Sequence, residues 1–149
     1  MTREEHLRKL ERMYTDAPIN SFFQPSLRLA EGKAEVTMLV RSNFFHIAGA
    51  AHGCVYFKLL DDVAFFAVQS LVDDVFCPTV SFNTYFVRSV SEGLVKAIGS
   101  VVHTGRNTFI AESQVLDSRG HDVARGSGTF ARSSVHLSSI AAYANSKTE

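Results

Sequence analysis

The 149-residue sequence contains no tryptophan, only three prolines and two cysteines, and no excess of either charge. Equal numbers of basic and acidic side chains, 15 of each, argue against a nucleic-acid-binding domain, which usually carries a basic surface. Cys54 and Cys77 form no CxxC motif, so we expect reduced thiols packed as small hydrophobic side chains. Lys58, Asp61 and Asp62 interrupt the longest apolar run, so we expect no transmembrane span and no membrane partner.

The length fits one domain, and 46% of the residues are hydrophobic, which is enough to form a sizeable core. The first six residues include Arg3, Glu4 and Glu5 and precede no signal-peptide apolar region, so the expected location is the cytoplasm. We predict a single domain over residues 1–149, with a helix at 2–14, a core at about 24–132 and a tail at 133–149. The polar end of that tail is expected to fray.

One stretch, residues 46–72, organises the rest of the chain. It begins as a loop that contains two histidines and two glycines, and it continues from Val55 to Val72 with apolar residues on nearly all sides of a predicted helix. A helix that is hydrophobic all round is buried. Asp61 and Asp62 nevertheless lie in its middle, where a charge is costly unless it is paired or used.

Alternating apolar residues predict strands before and after this helix. A hairpin is predicted at 26–40, and four further strands at 79–88, 94–104, 107–117 and 121–132. The apolar side of the 79–88 strand, with Val80, Phe82 and Phe86, is expected to face the helix. The predicted fold class is α+β, with a curled antiparallel sheet of about six strands around one long central helix and an added N-terminal helix.

The start of the central helix is a candidate oxyanion site. The amides of residues 53–56 have no acceptor within the helix and lie at the positive end of its dipole. Gly53 has no side chain, so a ligand carbonyl could approach its N–H closely. The alternative is that Gly49 and Gly53 serve only the turn of the loop.

Asp61 lies eight residues beyond Gly53, which is roughly 12 Å along a helix. Asp61 therefore cannot act on a carbonyl bound at the start of its own helix. If both residues belong to one site, the acid comes from a second subunit whose helix runs the opposite way, as two-fold symmetry allows. The sequence offers no physical account of Asp62.

Other chemistries have weaker support. His46 and His52 lack a carboxylate motif, so we expect no metal. Cys54 stands at a helix start that could lower its pKa, but nothing else indicates a cysteine nucleophile. Basic side chains could gather to bind phosphate, although a solvated edge is the simpler alternative; these are Arg88, Lys96, Arg106 and Arg125.

The order of several motifs resembles the hotdog-fold acyl-CoA thioesterases, specifically their PaaI-like branch. The match runs over about residues 40–132. It includes His52-Gly53 followed nine residues later by Asp61, then Thr79-Val80-Ser81-Phe82, Phe86-Val87-Arg88, Gly105-Arg106-Asn107-Thr108 and Gly120…Ala124-Arg125-Gly126-Ser127-Gly128-Thr129-Phe130.

This resemblance implies a hotdog fold, a homodimer with sites at its interface, commonly a dimer of dimers, and hydrolysis of acyl-CoA to acid and CoA without cofactor. Gly53 would donate its N–H to the thioester carbonyl. Asp61 of the opposite subunit would act as general base or nucleophile, and Thr79 would orient water or carboxylate. His52 would brace the loop or contact the thioester. Arg88, Arg106 and the adjacent Asn107 would contact the phosphates of CoA.

The sequence departs from the family at two positions. His46 stands where many relatives have asparagine, and Cys54 stands where many have a second glycine. Both changes bear on rate and substrate choice, with Cys54 narrowing the loop around the substrate. Phe44 and Phe45 in the loop are the candidates for an acyl pocket, and a small or medium aryl or aliphatic acyl group is the expected substrate.

Two alternatives to hydrolysis remain open. A hotdog module could bind acyl-CoA without turnover, although a binder gains nothing from a desolvated Asp61. A hotdog dehydratase or hydratase would have a proline-rich histidine motif at the helix entry, and no proline lies between residues 41 and 60.

Overall fold

The computed structural model describes residues 1–145, so the polar end at 146–149, where fraying is expected, lies outside the described residues. The helices are α1 (Arg3–Asp16), α2 (Pro18–Phe23), α3 (Gly53–Gln69) and α4 (Ala141–Ala144). The strands are β1 (Ser26–Ala30), β2 (Lys33–Val40), β3 (Thr79–Phe86), β4 (Gly93–Thr104), β5 (Thr108–Leu116) and β6 (Asp122–Ala131).

The six strands form one antiparallel sheet in the order β1-β2-β4-β5-β6-β3. The sheet curls around α3, and α1 lies outside the strands and packs against β1. This arrangement confirms the predicted α+β class with a central helix and an added N-terminal helix. Because β1 and β3 are the first and last strands in that order, they form the two edges of the sheet.

Helix α3 packs across β2, β4, β5 and β6, and Leu59, Leu60 and Val63 have no exposed surface. Gly99 on β4 allows this close approach, because a Cβ at that position would overlap the Val63 carbonyl. Neither α3 nor any other helix within residues 1–145 is long and apolar enough to cross a membrane.

The central helix ends earlier than predicted, at Gln69 instead of Val72. The buried Gln69 amide donates to the Val72 and Val75 carbonyls over 2.8 and 2.9 Å, and its oxygen accepts from the Cys77 N–H over 3.0 Å. These hydrogen bonds hold the residues after Gln69 in a turn, so the chain does not continue as a helix. A glutamine in an apolar run therefore marks the end of the helix.

Helix α1 begins with a capping box. The Glu5 N–H donates to Thr2 Oγ1 over 3.2 Å, and the Thr2 N–H donates to the Glu5 carboxylate over 2.7 Å. Leu10 and Tyr14 lie one turn apart on its buried side, within the hydrophobic core. The helix continues to Asp16, two residues beyond the predicted end.

Strand β3 differs from the prediction. Val80 and Phe86 were expected to face the helix, yet they are 64% and 59% exposed in this chain. Phe82 turns inward, and its ring lies over Gly126 and Gly128 of β6, where a Cβ would collide with it.

The exposed Phe86 still contacts the start of α3, with its ring centroid 5.9 Å from that of Tyr56. Val80 lies where the register of β3 with β6 shifts, between Thr79 and Ser81. Since β3 is an edge strand, its apolar residues remain uncovered in a single copy of the chain.

Candidate active site

The start of α3 is closed by His52. The side chain of His52 caps the helix, because its Nδ1 accepts from the Cys54 N–H over 3.0 Å, while its carbonyl accepts from the Val55 N–H. Two of the four amides predicted to be free are therefore satisfied locally. Gly53 is the first residue of the helix, so its N–H has no intrahelical acceptor and remains available to a ligand.

The loop before the helix is internally tied. The His46 N–H donates to the Ala50 carbonyl over 2.9 Å, and His46 Nδ1 accepts from the Ala48 N–H over 3.0 Å. Gly49 has φ +85°, a left-handed conformation that favours glycine. The imidazole of His46 is exposed, and it can meet a ligand without any change in the loop.

His46, Gly53 and Arg88 line one cavity of about 280 Å³. A Cβ on Gly53 would lie 3.4 Å from the Phe86 ring, which places this cavity beside the end of β3. We call it the glycine-end cavity. Arg88 also lines an adjoining polar cavity of about 390 Å³. This cavity includes Arg119, which was not among the site residues predicted from the sequence.

Asp61 lies at the other end of β3. The Thr79 hydroxyl donates to Asp61 Oδ1 over 2.8 Å, so the first residue of the strand orients the carboxylate on the helix. Both side chains are half-buried. The predicted contact between Thr79 and the carboxylate is therefore present in the fold.

Burial raises the pKa of Asp61 above its ordinary value. The Thr79 hydrogen bond and the Lys58 charge lower that pKa, while the Asp62 charge raises it. The balance favours a carboxylate that holds a proton more readily than a surface aspartate does. A raised pKa in a cleft is typical of groups that act as general bases.

The neighbouring Asp62 has a structural role that the sequence did not reveal. Its Oδ2 accepts from Tyr14 Oη and from Lys58 Nζ, each over 2.7 Å. Lys58 precedes Asp62 by one helical turn, a spacing from which the pair could have been predicted. No spacing in the sequence links Tyr14 to Asp62, because the two residues lie 48 positions apart.

Asp61 and Thr79 line a separate cavity of about 500 Å³, which we call the acid-end cavity. Its walls are mainly apolar and include the rings of Phe65, Phe66 and Phe76. Neither Gly53 nor His46 lines it. The structure therefore places the predicted site residues in two groups, one at each end of β3.

The remaining predicted residues divide between these ends. Cys54 is exposed at the glycine end and is not packed as a small hydrophobic side chain, in contrast to the buried Cys77. Arg106 and Asn107 form the turn after β4, and the Asn107 carbonyl accepts from the Arg132 N–H near the acid end. Arg88 and Arg106 therefore do not meet within one chain.

Phe44 is not a pocket residue in this chain. It is 3% exposed and packs against Phe22 and Phe23 with ring centroids 5.2 and 5.0 Å apart. Phe45 is partly buried and pairs with Ala51 across the loop. Core packing accounts for Phe44, and its predicted contact with an acyl group finds no support in the described chain.

Comparison with known proteins places this arrangement in a family. The model of the thioesterase superfamily matches residues 48–124, just over half of the chain. In sequence, the chain is 24% identical over 102 residues to "Putative esterase Ta0293" of Thermoplasma acidophilum, covering 68% of this chain and 77% of that protein.

Solved structures agree in fold. The E. coli PaaI protein from the phenylacetic acid degradation operon superposes with a TM-score of 0.83 at 20% identity, covering 91% of this chain and 99% of that one. The conserved protein PA5202 from Pseudomonas aeruginosa superposes with a TM-score of 0.76 at 26% identity, covering 82% and 98%. The six-stranded sheet wrapped around α3 is the hotdog fold, and the chain belongs to the thioesterase superfamily.

Proposed function

We propose that the protein hydrolyses an acyl-CoA thioester to a free acid and CoA, at sites that are each built by two subunits. The observation that carries this proposal is the placement of Asp61. Its carboxylate is held by Thr79 beside an apolar cavity. The available Gly53 amide lies roughly 12 Å away along the same helix.

The edge strand β3 supplies the geometry for a dimer. Gly53 lies beside Phe86 at the end of the strand, and Asp61 lies beside Thr79 at its start. If two β3 strands pair antiparallel about their centres, Thr79 of one lies opposite Phe86 of the other. Each Asp61 then approaches Gly53 of the partner subunit.

The exposed side chains of β3 fit such pairing. Val80, Tyr85 and Phe86 of the strand are each more than half exposed, and so is Val87 directly after it. An uncovered apolar edge strand is a liability for a lone chain, since its free N–H and C=O groups invite pairing with another strand. A second copy of β3 would satisfy those groups and cover the apolar residues.

The chemistry follows from the two ends. The N–H of the partner's Gly53 would bind the thioester carbonyl oxygen and stabilise its developing negative charge at the helix start. Asp61 would take a proton from water as the water oxygen attacks the carbonyl carbon, or would attack that carbon itself. In the first case, cleavage of the C–S bond frees the acid, and the thiolate of CoA takes up the proton that Asp61 received. In the second case, C–S cleavage leaves the acyl group on Asp61 as an anhydride, water then hydrolyses this anhydride to the acid, and a proton from that water makes CoA the thiol. The reaction needs water and no cofactor.

CoA would lie on the glycine side of the site. Arg88 and Arg119 border adjoining cavities beside Gly53, and arginine suits phosphate recognition. His46 could donate to the thiolate leaving group there, and Cys54 stands exposed at the same rim. Arg106 and Asn107, at the acid end, would reach this CoA only from the partner subunit.

A second interface would join two such dimers. Leu39 and Leu94 are register partners on β2 and β4, and each is 54% exposed. Ile98 lies four residues beyond Leu94 on the same face of β4, and it is 37% exposed. On this face, away from α3, Lys96 lies between the leucine pair and Ile98 and forms an ion pair with Glu35, and we propose that a second dimer covers this mixed surface.

The test is release of free thiol by the purified protein from a panel of acetyl-, octanoyl-, palmitoyl- and benzoyl-CoA. Hydrolysis predicts stoichiometric thiol and acid from at least one member. Binding without thiol release would replace hydrolysis with the acyl-CoA-binding module. Water addition to an enoyl-CoA, without thiol release, would replace it with the hydratase.

A further inference from the structure

The acid-end cavity is the largest of the cavities described above, at about 500 Å³, and it lies within the size range of small-molecule sites. Resting on the proposed function, we propose that this cavity takes the acyl group. We further propose that segments outside the superfamily match, at the two ends of the chain, decide which acyl groups fit. The acyl group expected there is a single aromatic ring or a medium-length alkyl chain.

The position of the cavity relates it to the reacting carbon. Asp61 and Thr79 both line it, so a carbonyl carbon attacked beside Asp61 has its acyl substituent next to this space. The phosphates of CoA are charged and stay in water, whereas an apolar acyl group gains free energy by leaving it. The apolar cavity therefore suits the acyl end of the substrate.

One side of the cavity comes from the family core. Phe65 and Phe66 on α3 stand edge to face with ring centroids 4.8 Å apart, and Phe76 packs on Phe65 at 5.1 Å. Phe65 stands between the other two rings, and together the three make a firm apolar surface. All three lie within the matched residues 48–124.

Another part of the lining comes from outside that match. Met13 and Ile19 reach the cavity from α1 and α2, and Ile140 and Ala142 reach it from the C-terminal segment. None of these four residues lies within 48–124. The family core thus supplies the acid and one part of the apolar wall, and segments outside the match supply another part, which we call the added wall.

The added wall is anchored beside the catalytic acid. Tyr14 Oη donates to Asp62 over 2.7 Å, its ring stands edge to face on Phe66 at 5.1 Å, and its carbonyl accepts from the Asn20 amide over 2.7 Å. Burial raises the pKa of Tyr14 far above its ordinary value, so the phenol keeps the proton that it donates. A wall fixed in this way can discriminate acyl groups by size.

The experiment compares Ala142→Phe with Ala144→Phe. Both residues lie in α4, but Ala142 lines the cavity and Ala144 is exposed. We expect Ala142→Phe to lower the ratio of kcat/KM for octanoyl-CoA to that for acetyl-CoA at least tenfold. Ala144→Phe should leave this ratio within twofold of wild type. Equal ratios in the two variants would overturn the proposal.

Ile140→Ala tests the same wall in the opposite direction. Removing this side chain enlarges the cavity, so kcat/KM for palmitoyl-CoA should rise severalfold relative to octanoyl-CoA, and an unchanged ratio would count against the proposal. This variant keeps the test open if Ala142→Phe does not fold. If wild type releases no thiol from any substrate, the proposed hydrolysis fails. Octanoyl-CoA affinity of wild type and Ala142→Phe, measured by calorimetry, then still tests the cavity: at least tenfold weaker binding supports it, and equal binding overturns it.

Discussion

The two ends of α3 differ in how they are built. The glycine end is made by one loop, the first turn of the helix and the end of β3, and its useful group is a backbone amide. The acid end brings together side chains from several distant parts of the chain, among them Tyr14, Asp61, Thr79 and Ile140. In the proposed function each end supplies a group that the other lacks, so a single chain would hold two half-sites and no complete one.

The two ends also differ in whether their proposed catalytic group titrates. The Gly53 amide carries a fixed partial charge that no pH change removes. Asp61 must lose its proton to act, and burial makes that harder. The acid end should therefore govern the pH profile, while the glycine end should govern stabilisation of the carbonyl oxygen.

Removing the acid should have the largest effect on catalysis. We expect Asp61→Asn to lower kcat about 10³-fold, since an amide cannot serve as base or nucleophile. Thiol release measured under substrate saturation checks this. Asp73→Asn, the same change at an exposed aspartate, should retain wild-type turnover. Full activity of Asp61→Asn would remove the assigned role.

Breaking the interface should nearly match that loss. A lysine in place of the 64% exposed Val80 puts charge on the edge of the sheet, which discourages strand pairing. We expect Val80→Lys to shift the protein to monomer and to lower kcat about 10²-fold, as shown by light scattering and thiol release. Val102→Lys, at a 53% exposed valine on β4, three strands away from β3 in the sheet, should keep the dimer. A monomer with full activity would contradict two-subunit sites.

A smaller change at the acid end concerns the Thr79 hydroxyl. Its hydrogen bond lowers the pKa of Asp61, so Thr79→Val should raise that pKa further. Because the ionised form is active, the acidic limb of the kcat/KM profile should move to higher pH, with about a tenfold loss below that limb. Thr79→Ser should restore the wild-type profile. An unmoved limb in Thr79→Val would show that this hydroxyl does not tune Asp61.

The smallest expected effect is on stability. Tyr14→Phe removes one hydrogen bond to the half-buried Asp62, which retains Lys58 as a partner. We expect the free energy of unfolding to fall by about 1.5 kcal/mol. Urea titration checks this value. The Asp62→Ala variant should show a smaller loss when combined with Tyr14→Phe than by itself, because both variants break the same contact.

The sequence predicted the central helix, the hairpin and the four later strands because each has its own period of apolar residues. It could not predict the exposure of β3. Val80 and Phe86 have the same alternation as a strand whose apolar face is covered by its own chain. Alternation of apolar residues predicts which face of a strand is apolar. It does not predict whether a helix of the same chain or a second copy of the chain packs against that face.

Part of the candidate site could be predicted from the sequence because it depends on local spacing. The spacing of Gly53 and Asp61 along one helix is local, so helix geometry predicted a second subunit on the condition that both residues belong to one site. The partnership of Asp62 with Tyr14 joins residues 48 positions apart and depends on the packing of α1. The cavity wall from Met13 and Ile140 is likewise a product of tertiary structure.

The central claim is that each site takes its amide from one subunit and its acid from the other, and mixed dimers test it most directly. Gly53→Pro removes the donor N–H at a helix position that accepts proline, and His52 already has the extended ψ of 146° that a residue before proline needs. Gly53→Ala, which keeps the N–H, is its matched control.

The experiment mixes the inactive Asp61→Asn and Gly53→Pro proteins in equal amounts under conditions that allow subunits to exchange. Half of the dimers would then be mixed, and one of the two sites in each would be intact, so thiol release should recover to about a quarter of the wild-type value. Activity no greater than that of the two separate variants would contradict the account.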